Sequence, residues 1–178
     1  MQLSLRRFSN FLGASDLALT RRVQRLSDTK RLLAYFAAVS RLGDGIVWYA
    51  LMLALLLFGG EVGRIATVQM AVLGIASLLI YKALKQLSRR QRPLCIEHAL
   101  RRGVAPLDEY SFPSGHTLHA VGFTLVVTQH FPVSGWVLWP LCASIAVSRV
   151  VLGLHYPSDV LAAIGLGWTL GKSVLWLS

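Results

Sequence analysis

Acidic residues are scarce in this 178-residue chain: 8 Asp and Glu stand against 18 Lys and Arg, for a formal net charge of +10 and an isoelectric point of about 10.5. Charge of any sign is thin, at 15% of residues, whereas apolar residues make up 54% and the mean hydropathy is +0.56. That balance excludes a disordered chain and a basic protein that coats nucleic acid, because such chains are poor in Leu, Ile, Val and Phe. Cysteine is almost missing. Cys95, in a polar stretch, and Cys142, in an apolar run, make neither a disulfide framework nor a metal-binding CxxC pair. Residues 1–31 lack the uninterrupted apolar core of a cleaved secretory signal, since Arg6, Arg7, Arg21, Arg22 and Arg25 break it up, and the segment reads as retained. No internal repeat or low-complexity tract is present.

What the chain does contain is sharply segregated. Of its 18 Lys and Arg, 8 fall in residues 1–45 and 7 in residues 82–110. Elsewhere only Arg64, Arg149 and Lys172 interrupt runs of membrane-spanning character at 46–60, 65–84, 117–133, 134–154 and 160–177. At about 1.5 Å per residue a helix needs about 20 residues to cross a hydrocarbon core about 30 Å thick, and most of these runs come close. The first is short and has to borrow from its flanks. The runs are apolar all round rather than on one face, which favours lipid-exposed helices. The expected fold is therefore an all-α polytopic membrane bundle of five or six transmembrane helices, with residues 46–178 as the membrane-embedded core. Residues 1–45 differ. Leu19, Val23 and Leu26 recur at helical spacing with Arg21, Arg22 and Arg25 off that stripe, and Leu32, Leu33, Tyr35, Phe36 and Val39 continue an apolar side. This reads as a basic amphipathic helix lying on anionic headgroups. A short first crossing within 32–45 is the alternative, with Arg41 and Asp44 as its awkward members. Trp48, Trp136, Trp139, Trp168 and Trp176 lie nearer the ends of runs than their middles, as interfacial anchors do.

Three polar clusters sit at the ends of the runs. They are Lys85 followed after six residues by Arg92-Pro93; Pro113-Ser114-Gly115-His116; and Ser148-Arg149 followed by His155 and Asp159. Alternating crossings bring all three to one membrane face. Three permanent cations suit a dense anion, and guanidinium forks match phosphate oxygens bidentately. Ser114 and Gly115 at a helix start add backbone N–H donors and the positive end of the helix dipole. Two histidines beside a phosphate suggest a nucleophile, His155, and an acid/base, His116. Asp159, one turn beyond His155, can fix its tautomer.

The spacings K-x6-R-P, P-S-G-H and S-R-x5-H-x3-D resemble the signature of the type 2 phosphatidic acid phosphatase family, whose pocket is similar to that of the vanadium haloperoxidases; every signature position is matched between residues 85 and 159. The resemblance implies an integral-membrane lipid phosphatase without metal or other cofactor. It places Lys85, Arg92, Ser114, Gly115 and Arg149 on phosphate, His116 as acid/base, His155 as nucleophile and Asp159 as its partner. The expected substrate is a lipid phosphate or diphosphate, polyprenyl or glycerolipid, with membrane lipids as surroundings and no nucleic acid. A lipid phosphotransferase or a lipid A phosphatase would use the same pocket. A haloperoxidase fits a membrane chain poorly. The oligomeric state is left open.

His119, one turn after His116, is placed to line the pocket, but the favoured reading is a polar residue packed within the bundle. His98, Arg101, Arg102, Asp108 and Glu109 read as a solvated interfacial loop, or as a lid that selects headgroups. Orientation divides the signals. The positive-inside rule puts the basic face in the cytoplasm, whereas bacterial members of the resembling family work on the outer face of the inner membrane. The expectation leans to an external site.

Overall fold

The computed structural model describes residues 2–26, 29–96 and 108–177, and every regular element among them is helical. His98, Arg101, Arg102 and the side chains of Arg6, Arg7 and Leu26 lie outside the described residues. In chain order the helices are α1 (Gln2–Leu26), α2 (Lys30–Leu42), α3 (Ile46–Phe58), α4 (Gly60–Ser88), the single turn α5 (Pro93–Ile96), α6 (Gly115–His130), α7 (Gly135–Val151) and α8 (Pro157–Trp176).

Local chemistry sets the boundaries. Thr29 caps α2 by accepting the Leu32 N–H at 3.3 Å. Arg89, in the left-handed region at φ 45°, ends α4 and returns its N–H to the Lys85 carbonyl at 2.9 Å. Pro157 opens α8, and Asp159 in its first turn accepts the Tyr156 N–H at 2.9 Å. The 13 residues of α3 span about 20 Å, too little for a bilayer core. The helix α2 precedes α3 across residues 43–45, bent by 48°, and the pair together is long and apolar enough for one crossing. Gly60–Ile96 and Pro132–Val151 meet that requirement singly.

The 16 residues of α6 form the centre of the bundle, packed against α4, α7 and α8. Leu118, Ala120, Val121, Val126 and Val127 are all buried. An all-round apolar sequence arises here because helices surround it, so the expectation of lipid exposure fails for this run. The outward side chains of α3 and α4 are instead apolar and exposed, among them Leu53, Leu57, Val68, Val72 and Leu79. Such a belt suits lipid, and the protein is a membrane protein. Trp48 is not an anchor; it is 2% exposed and packs 5.5 Å from the Phe123 ring.

The N-terminal helices pack on the bundle rather than only on headgroups. From α1, Leu17 rests on Leu94, Leu152 and Leu154, while Val23 rests on Ala146, Val150 and Val160. Leu19, expected on the same apolar stripe, is 47% exposed, so the face turned inward is rotated toward Leu17, Thr20 and Val23.

Candidate active site

All the expected residues gather at one end of the bundle. Lys85 lies in the last turn of α4 and Arg92 just before α5; Ser114 immediately precedes α6, which opens with Gly115 and His116. Arg149 ends α7, His155 sits in the link to α8, and Asp159 occupies the first turn of α8. The link is tight because Leu154 and His155 both donate their N–H to the Arg149 carbonyl at 3.0 Å, past Gly153 at φ 68°. A backbone bond of 3.3 Å from Ser114 N–H to the Asp159 carbonyl ties the starts of α6 and α8 together. Lys85, Arg92, Gly115, His116, Arg149 and His155 line one cavity of about 1050 Å³. Ser114 and Asp159 stand behind that wall.

His155 is 1% exposed. Arg92 Nη1 lies 3.3 Å from its Nε2 and also donates to the Leu154 carbonyl at 2.6 Å. A guanidinium only donates, so Nε2 carries a lone pair and the ring proton sits on Nδ1, which faces Asp159 Oδ2 at 3.6 Å. Burial first, then the charges of Arg149, Arg92 and Lys85, push the His155 imidazole well below its ordinary range. It is therefore neutral at physiological pH, with its lone-pair nitrogen turned toward the cations.

Asp108 departs from both loop readings. Its carboxylate receives Lys85 Nζ at 2.6 Å on each oxygen and also pairs with Arg92 Nη2, while its carbonyl accepts Arg92 Nε at 3.0 Å. Burial alone would raise this carboxyl, but the Lys85 hydrogen bond and the charges of Lys85 and Arg92 outweigh it and hold the group below the ordinary carboxylate range. It orients two of the three cations.

Two further partners come from the segment read as a surface helix. Asp44, at the break between α2 and α3, holds His116 Nε2 at 2.5 Å, and Ser40 of α2 accepts from Arg149 Nη1. No local pattern marks these residues. The scarcity of acids was the available signal: in a chain with 8 of them, Asp16, Asp44, Asp108 and Asp159 all pair with a cation or imidazole at this end. His119 does both things considered for it. It stacks on Phe123, with ring centroids 5.4 Å apart, and also lines the cavity.

Away from the cations the cavity wall turns apolar, through Trp48, Met52, Met70, Ile75, Leu78 and Phe123 of α3, α4 and α6. The site thus joins an anion-holding end to a greasy channel.

Known proteins resemble the chain in sequence and in fold. Over 127 residues the chain is 31% identical to undecaprenyl-diphosphatase BcrC of Bacillus subtilis, covering 71% of this chain and 65% of that protein. It is 37% identical over 92 residues to decaprenylphosphoryl-5-phosphoribose phosphatase of Mycobacterium tuberculosis, covering 51% and 49% respectively. Both matches thus span less than two thirds of the relative's length. The crystal structure of a PAP2-type phosphatidylglycerolphosphate phosphatase from Bacillus subtilis superposes with a TM-score of 0.76 over 94% of this chain and 86% of its own, at 22% identity. That likeness shows a shared fold. The PAP2 superfamily model matches residues 66–178, which takes in each of the three motifs that meet at the cavity, and the chain belongs to that superfamily.

Proposed function

We propose that the protein is a metal-independent integral-membrane lipid phosphatase that works through a phosphohistidine. The observation that carries this reading is the neutral, buried His155, whose Nε2 lone pair is directed at a cavity floored by Arg92, Arg149 and Lys85. Phosphate oxygens bind those cations and the N–H groups at the start of α6. His155 Nε2 attacks phosphorus in line, forming the N–P bond as the P–O bond to the lipid breaks. His116 gives a proton to the leaving oxygen. Its Nε2–H is donated to Asp44, so His116 enters this step as the imidazolium and the Nδ1 proton is the one transferred. Asp159 meets the positive charge that develops on the His155 ring. Water then attacks phosphorus and passes a proton back to Nδ1 of His116 as the N–P bond breaks, which releases inorganic phosphate and neutral His155. The cations supply the electrostatic stabilisation that dominates phosphoryl transfer.

The apolar half of the cavity supports a lipid tail, and the headgroup end supports a phosphomonoester or diphosphate. Polyprenyl and glycerolipid phosphates both fit this shape. Residues 46–178 would form the catalytic core, with five crossings: the α2–α3 pair, α4, α6, α7 and α8. Of residues 1–45, α1 would lie at the headgroups, while α2 lends its length to the first crossing and brings Ser40 and Asp44 to the site.

A phosphate-release panel over polyprenyl diphosphate, polyprenyl phosphate, phosphatidate, phosphatidylglycerophosphate and lipid A, with and without chelator, tests the reading. Release from at least one lipid, undiminished by chelator, is expected. No release from any of them, loss on chelation, or release that depends on a second lipid as phosphate acceptor would each overturn it.

For location we propose the bacterial inner membrane with the site outward, as the family resemblance implies. The basic face still argues for the cytoplasm, but Lys85, Arg90, Arg92 and Arg149 are bound within the site and leave the topogenic count. Exposed Glu109, replaced by cysteine in a Cys95→Ser background, should react with an impermeant thiol reagent in intact cells. Reaction only after permeabilisation would reverse the orientation.

A further inference from the structure

Arg90 lies in the spacer of the K-x6-R-P motif, where the motif assigns nothing. Its guanidinium nevertheless joins three elements. Nη1 donates to Asp159 Oδ1 at 2.6 Å and to Ser158 Oγ at 2.7 Å; Nη2 donates to Asp16 Oδ2 of α1 at 2.7 Å. Asp16 in turn accepts the Ser158 N–H at 3.2 Å and the Ser158 hydroxyl. The guanidinium lies 4.0 Å over the Tyr156 ring, and the Arg90 carbonyl is held by the Ser111 N–H at 2.8 Å. Both ends of the residue are fixed.

The consequence falls on Asp159, which is 0% exposed. A carboxylate can turn about its last bond, and only the oxygen facing Nδ1 helps His155. Here Oδ2 is held by the Tyr156 N–H and Oδ1 by Arg90, so the plane is set with Oδ2 toward His155. Without Arg90 the buried carboxylate would keep the Tyr156 N–H and the Ser111 hydroxyl but no cationic partner, a costly state that it can relieve by protonating or rotating. Lysine cannot take over fully, because one ammonium does not reproduce a planar fork shared between two acids and a hydroxyl. Arg90 is also not a phosphate ligand. The cavity wall includes Lys85 and Arg92 but not Arg90, whose donors point to the other side of Asp159.

We propose that Arg90, anchored by Asp16 of α1, is a positioning residue for the phosphatase reaction, acting through Asp159 on His155. It rests on the phosphoryl-transfer reading above and extends it outside residues 66–178, because α1 supplies the anchor.

The full chain in detergent, with Arg90→Gln, Arg90→Lys and Asp16→Asn variants, separates the outcomes. Kinetics use whichever lipid phosphate the wild type turns over, inorganic phosphate serves as competitive inhibitor, and thermal unfolding is followed in parallel. Arg90→Gln is expected to lower kcat by about ten- to a hundredfold, the range seen when the outer partner of a metal-bound histidine is removed. KM and the phosphate inhibition constant should stay within about twofold, since the cation cradle is untouched. Arg90→Lys should recover part of kcat, and Asp16→Asn should lose about threefold to tenfold. Should Arg90→Gln not accumulate folded, Asp16→Asn carries the same readout. Unchanged kcat in folded variants, or a raised KM and inhibition constant at normal kcat, overturns the proposal. A lower unfolding temperature with kcat preserved makes the cluster merely structural and overturns it too. A wild type inactive on every lipid would instead refute the phosphatase reading itself.

Discussion

His155→Ala is expected to abolish turnover, by about 10⁴-fold or more, while leaving phosphate binding in place. Removal of a covalent nucleophile commonly costs this much, because the remaining site only binds and polarises. The substitution spares Lys85, Arg92 and Arg149, so the anion cradle persists. Arg92 Nη1 loses the imidazole but keeps the Leu154 carbonyl at 2.6 Å. A phosphate oxygen can enter the vacated space, so inorganic phosphate should inhibit or protect at an unchanged or lower concentration. Binding of phosphate can be read by thermal stabilisation in detergent, since a ligand that binds only the folded form raises its unfolding temperature. Two results would refute the assignment: full turnover in the variant, or loss of phosphate binding in step with turnover. The second would make His155 a ligand rather than the attacking group.

The convergence of the site residues was legible in the sequence because each motif lies at the end of an apolar run. Lys85, Arg149 and the Ser114–His116 turn each close or open an apolar run, so spacing alone forecast that they meet. What spacing could not show is which distant residue each of them touches. Asp16 lies 142 positions from Ser158, Ser40 lies 109 from Arg149, and Asp44 lies 72 from His116. Such pairs have no periodicity. Residues 1–45 looked amphipathic because α1 and α2 do have a polar and an apolar side, but part of the polar side faces protein. Asp44 seemed awkward for a crossing, and the break at residues 43–45 resolves that by turning the carboxylate to His116. The reading of α6 failed for a different reason. Lipid and a surrounding shell of helices select the same apolar residues, so composition does not separate them.

Small residues carried the missing information about α6, and they yield the second large effect. A Cβ at Gly167 of α8 would stand 2.6 Å from the Leu118 carbonyl oxygen and 3.1 Å from Val121 Cβ. Real Cβ atoms do not approach a backbone oxygen so closely, and backbone cannot swing aside as a side chain can. At Gly171 the obstacle is the tip of Leu125 at 2.9 Å, which can rotate, and at Gly165 nothing lies within 4 Å. The three glycines therefore form a graded series on one helix. Gly165→Ala should be neutral or slightly stabilising, because alanine is the better helix former by about 1 kcal/mol. Gly171→Ala should cost little. Gly167→Ala should force α6 and α8 apart and destabilise by about 1–3 kcal/mol, the usual cost of overpacking. The damage extends to catalysis, because α6 carries Ser114 to His116 and α8 carries Asp159, with the two starts joined through the Ser114 N–H. A displacement of about 1 Å between acid and nucleophile can cost about 10²-fold in rate. Thermal unfolding and kcat measured on all three variants should fall together at Gly167 alone. If Gly167→Ala matched Gly165→Ala in both, the close approach of α6 and α8 would not be what sets the distance between the two halves of the site.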